Sequence, residues 1–105
     1  VAKTSRKQKV ELDLNSPEFL EVFLALRGAE LEQVARSLEQ LLGLEWQSVY
    51  TSKGLNWEAV NHIVAPNGSK VHSIRFSKKI RALAYRDGDL MRFISLHPDH
   101  DSAYE

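Results

Sequence analysis

The chain has no cysteine among its 105 residues. That removes disulfide staples, thiolate nucleophiles and thiolate metal ligands. Small secreted domains often depend on disulfides, so a chain without them must rely on packing, which points to the cytoplasm. Long apolar runs are missing as well. No stretch approaches the roughly 18 consecutive apolar residues of a membrane span. The start, Val1 to Lys9, is basic and polar, unlike a secretory signal. There is no internal repeat, no low-complexity tract and no glycine-rich phosphate loop. No serine sits in a nucleophile elbow.

Net charge is absent too, since 14 Lys and Arg balance 14 Asp and Glu. The balance hides an asymmetry. Residues 1–10 carry four bases and no acid, residues 11–60 nine acids against three bases, and residues 61–105 seven bases against five acids. Lys70, Arg75, Lys78, Lys79, Arg81 and Arg86 follow one another with no acid between them. Such a strip is either a footprint for a polyanion or a solvated sheet face.

What is present fits a globular domain: 43% hydrophobic and 27% charged residues. A chain of this length buries one core. The expectation is a flexible basic N-terminus over 1–7 and a single domain over 8–105. Val10, Leu12 and Leu14 alternate with polar residues and predict a strand over 8–14. Asn15-Ser16-Pro17-Glu18 predicts a helix start, with Asn15 or Ser16 as cap and Pro17 in the first turn. That helix runs to Gly28 as a stop. A second, from about Ala29, places Leu31, Val34, Leu38 and Leu41 at helical spacing and ends at Gly43. Trp46, Val49 and Tyr50 fit one short helical turn that Gly54 breaks. The two tryptophans either close the core edge or stack on bases.

Strands are expected over 58–64, 71–76, 80–85 and 90–96. Asn67-Gly68 and Asp87-Gly88 supply turn chemistry. The fold class is α+β: an N-terminal strand and an αα-hairpin packed on an antiparallel β-meander. On the third of those strands Ile80, Ala82 and Ala84 share one side, and Arg81, Leu83 and Tyr85 the other. The small alanines suit close helix packing, which leaves Arg81 outward.

Two groups of residues can carry chemistry. Arg75 and Arg81 lie on neighbouring strands with Lys78 and Lys79 at the joint. Guanidinium forks fit phosphate oxygens and ammonium groups add point charge, so together they can clamp a phosphodiester. The alternative is a set of exposed sheet cations. The second group is His97-Pro98-Asp99-His100-Asp101. Each imidazole titrates near neutrality beside a carboxylate and can move protons. A metal site is the rival, but no further ligand is spaced for zinc, and a plain polar tail also fits. Tyr104 can stack on a base or dock the tail.

These segments resemble RelE/ParE superfamily toxins. Val10-Glu11-Leu12 and Ser16-Pro17-Glu18-Phe19-Leu20 look like the opening strand and helix. His72-Ser73-Ile74-Arg75-Phe76 and Ile80-Arg81-Ala82-Leu83-Ala84-Tyr85 are similar to the paired arginine-bearing strands. Asp87 to His97 resembles the last strand, and His100-Asp101-Ser102-Ala103-Tyr104 the H-D-x-x-Y ending. The similarity spans roughly 8–105. It implies a bacterial, cytoplasmic type II toxin neutralised by a cognate antitoxin protein. RelE-like members enter the ribosome and cut mRNA by attack of a 2′-hydroxyl on the adjacent phosphate, with no metal and no cofactor. ParE-like members bind gyrase and cut nothing. The resemblance assigns Arg81 to the scissile phosphate, Arg75 to the preceding strand's cation, His100 to the acid and Tyr104 to the terminal aromatic. It gives His97 a looser counterpart and sets Glu58 near a general base of some members. Lys78, Lys79 and Arg86 are the expected RNA-binding cations.

Overall fold

A computed structural model describes residues 8–98. The expectations for 1–7, His100 and Tyr104 lie outside these residues. The elements run β1 (Glu11–Asp13), α1 (Pro17–Ala25), α2 (Gly28–Leu41), α3 (Trp46–Thr51), β2 (Glu58–Val64), β3 (Lys70–Arg75), β4 (Arg81–Asp87) and β5 (Leu90–His97). They form a small α+β domain with one five-stranded sheet in the order β1-β5-β4-β3-β2. No helix among the described residues is long and apolar enough to cross a membrane.

Local chemistry explains the helix ends. Ser16 holds an extended backbone, and its Oγ accepts from the Phe19 N–H at 3.3 Å. The same hydroxyl donates to the Ile94 carbonyl at 2.6 Å, tying the start of α1 to β5. Ser16→Ala removes both bonds and is expected to cost about 1–2 kcal/mol, read as a lower urea midpoint at unchanged slope. Arg27 closes the far end, donating from Nη1 to the Leu24 and Leu26 carbonyls. Gly28 differs from its expected role. It is the first residue of α2 rather than the stop of α1, and its φ of +61° makes the sharp joint.

The helices cover one face of the sheet. Phe19, Val34, Leu38, Leu41, Trp46 and Val49 pack with Ile74, Ala82, Ala84, Met91, Phe93 and Leu96 in a single cluster. Phe19 lies 5.0 Å from Phe93 between ring centroids. The alanines do face the helices, as their size suggests. The opposite face carries a smaller cluster of Val60, Ala65, Val71 and Leu83, flanked by Ile63, Tyr85 and Ile94, with no helical residue in it.

One correction concerns topology. The meander β2–β5 is antiparallel, but β1 pairs with β5 in parallel, so the sheet is mixed. The short helical turn expected at Trp46, Val49 and Tyr50 is α3, which buries Trp46 and Val49. Arg92 of β5 locks the parallel edge. It donates from Nη1 to the Asp13 carboxylate of β1 and from Nε to Asp87 Oδ2 of β4 at 2.8 Å.

The Asn15 N–H and then the Arg92 guanidinium hold the Asp13 carboxyl below its ordinary value, against an opposing effect of burial. A lowered carboxyl stabilises the fold fully above its unfolded value of about 3.9. That contribution is lost as pH falls through the folded value. The melting-temperature gap between wild type and Asp13→Asn is therefore expected to be widest near neutrality and to close in acid. A gap that widens in acid contradicts this.

Candidate functional site

Strand register brings the predicted arginines together. Arg75 of β3 pairs with Arg81 of β4, and Arg81 pairs with His97 of β5. Directly paired residues point to the same side, with Cβ atoms roughly 5 Å apart. The three thus form one row near the ends of three strands. The next row on that side runs Glu58, Ser73, Leu83, Ser95. Leu83 belongs to the cluster that contains no helical residue, so both rows lie on the face away from the helices.

The row is a concentration of positive charge. Like charges placed directly opposite each other destabilise a sheet. Among the described residues, no carboxylate pairs with Arg75 or Arg81. Arg75 is exposed, whereas Arg81 is 7% exposed. Arg81 folds back on the connection between β3 and β4. Its Nη1 donates to the Ser77 carbonyl at 2.7 Å, to Lys78 at 3.3 Å and to Ile80 at 3.4 Å. The loop is further closed by the Phe76 N–H on the Ile80 carbonyl. Arg81 therefore organises the segment that holds Lys78 and Lys79. Arg81 is a buried loop anchor, which differs from the exposed sheet cation that is one of the two sequence expectations.

Lys78 and Lys79 are both exposed in this loop. Lys79 Nζ reaches Glu30 Oε2 of α2 at 3.1 Å, so part of its charge serves the loop–helix contact. Exposed pairs of this kind contribute little, and Lys79 can exchange Glu30 for another anion. His97 Nε2 shares a hydrogen bond with Ser95 Oγ at 2.8 Å, which fixes the ring on the open face. Glu58 sits in the second row at the outer strand, three strands away from Ser95. It is exposed and does not adjoin His97.

Arg86 does not join this group. It lies five residues after Arg81 on the same strand and so on the other face. There it stacks on Trp46 at 4.5 Å and donates to Tyr50 Oη, Gln8 Oε1 and the Gly88 carbonyl. The basic strip of the sequence is thus split between two faces. Sequence reasoning also missed the surroundings of Arg86. Trp57 and His72 are stacked there, 4.5 Å apart and 8° from parallel. Burial pushes the His72 imidazole below its ordinary value, against the opposing hydrogen bond to the Lys70 carbonyl and helped by the Lys70 charge, which favours the neutral ring. The available signal was the even spacing of Lys70, His72 and Ile74, which assigns all three to the helix side of β3. No family model, curated protein or solved structure matches this chain.

Proposed function

We propose that this chain is a RelE/ParE-like type II toxin that cuts mRNA at the open sheet face without a metal. The observation that carries the proposal is the direct pairing of Arg75 with Arg81, without a carboxylate partner for either among the described residues, beside His97. Two arginines paired across neighbouring strands, with no neutralising acid among the described residues, suit an anion. A phosphodiester suits it, because guanidinium forks match phosphate oxygens.

In the proposed reaction the 2′-hydroxyl of the RNA loses its proton to a base and attacks the adjacent phosphorus. The 5′-oxygen leaves and takes a proton from an acid, giving a 2′,3′-cyclic phosphate and a 5′-hydroxyl end. Arg75, with Lys78, stabilises the charge that grows on the phosphate. Arg81 holds the β3–β4 loop so that these cations face the substrate. His97 and His100 exchange the protons. Tyr104 stacks on a neighbouring base. Partners on this reading are a cognate antitoxin protein, mRNA and the ribosome. The test is induced expression with mapping of mRNA 5′ ends: new ends at defined codons support the proposal, and intact transcripts in arrested cells refute it.

One observation favours a second reading. The burial of Arg81 and its three carbonyl bonds suit a scaffold role. A non-catalytic binder of the same fold, such as a gyrase-directed toxin, needs no more than that. It predicts DNA damage and filamentous cells while translation continues.

A further inference from the structure

The helix side of the sheet carries a second constellation at the other end of the strands. A cavity of about 650 Å³ opens between α3, the β4–β5 turn and the start of β3. Tyr50, Trp57 and His72 supply aromatic walls, and Lys70 and Arg86 supply charge. The volume falls in the usual range for small-molecule sites, roughly 300–1,000 Å³.

The side chains are held in place rather than loosely gathered. Trp57 packs against Trp46, with ring centroids 5.6 Å apart and planes at 71°, and stacks face-on against His72. Arg86 is fixed over Trp46, with its Nε, Nη1 and Nη2 each hydrogen-bonded at 2.7–2.8 Å and Nη2 also 4.0 Å from the Asp89 carboxylate. A guanidinium has five N–H donors, so two remain outside these three hydrogen bonds. A cation fixed this way needs no further ordering to receive an anion. Lys70 is exposed, and no carboxylate pairs with it among the described residues. Asp89 lines the same cavity and can accept from N–H groups.

We propose that this cavity binds a nucleotide, with the base against the Trp57–Tyr50 wall and the phosphate on Lys70 and Arg86. Flat aromatic faces beside fixed and mobile cations are how proteins hold single nucleotide units. A purine with an N–H edge fits best, because Asp89 can accept from it. The site is on the other face from Arg75 and does not depend on RNA cleavage there.

Trp57 lines the cavity and Trp46 lies behind it, against Trp57 and Arg86, so intrinsic fluorescence reports its occupancy. The probes are guanosine monophosphate, guanosine, inorganic phosphate and a short RNA ending in a phosphorylated guanosine. Saturable quenching by the monophosphate, stronger than by guanosine or phosphate alone, is expected. Lys70→Ala should weaken it about tenfold, as the loss of one charged contact implies. Lys70 is exposed, so that variant keeps its fold, which circular dichroism checks. Tighter binding of the RNA than of the monophosphate identifies a strand end as the ligand, and the reverse order a free nucleotide. No saturation by either in the millimolar range, or equal affinity in Lys70→Ala, overturns the proposal.

Discussion

If the chain cuts RNA as proposed, Arg75→Ala is expected to lower cleavage by roughly 10²–10³-fold, the loss typical of removing one preorganised donor to a developing oxyanion. Arg75 is the exposed member of the arginine row and has no carboxylate partner among the described residues, so its removal breaks no ion pair within them. Its backbone N–H bond to the Leu55 carbonyl survives in the variant. Arg75→Lys recovers only part of the rate, because it restores charge but not the fork. Rates are measured on a defined mRNA in a translation extract, with protein shown to be folded. A variant as active as wild type removes Arg75 from the chemistry. Arg81→Ala is the less informative change. It also frees the carbonyls of Ser77, Lys78 and Ile80, so any loss of rate mixes charge with loop disorder.

The largest effect on stability is expected at Trp46. It is 1% exposed and fills the junction of α3 with the sheet. Its indole Nε1 donates to the Asp89 carbonyl at 3.0 Å, its ring contacts Tyr50 and Trp57, and Arg86 lies over it. Trp46→Ala should cost about 3–5 kcal/mol through lost burial and a residual cavity. Domains of this size have only about 5–15 kcal/mol to lose. Urea unfolding measures the change. Trp46→Phe keeps a ring and loses the Asp89 bond, so it should fall well short of the alanine cost. A loss under about 1 kcal/mol in the alanine variant contradicts a core role for Trp46.

Much of the fold was legible because the signals are local. The strand expected over 58–64 is β2, with the same bounds. Asp87-Gly88 makes the β4–β5 hairpin, with Gly88 at φ +63° as such a turn requires. Ser16 caps α1 as its neighbours suggest. The parallel pairing of β1 was not legible. It rests on contacts such as Arg92 with Asp13, 79 positions apart, which no short pattern encodes.

The candidate site divides in the same way. Alternation along β4 was enough to separate Arg81 from Arg86, and a single basic strip ignores it. The burial of Arg81 was hidden because it depends on the path of residues 76–80, whose carbonyls its own guanidinium collects. The stacking of Trp57 on His72 joins a loop to a strand, and aromatic content alone does not reveal it.

Attack by the substrate's own 2′-hydroxyl is tested most directly with a synthetic mRNA and a copy lacking that one hydroxyl at the mapped cut. Both are offered to the purified chain in a translation extract. Cleavage of the ribose form alone, leaving a cyclic phosphate, is the expected result. Equal cutting of the two, or intact strands in both samples while the chain still arrests growth, contradicts it.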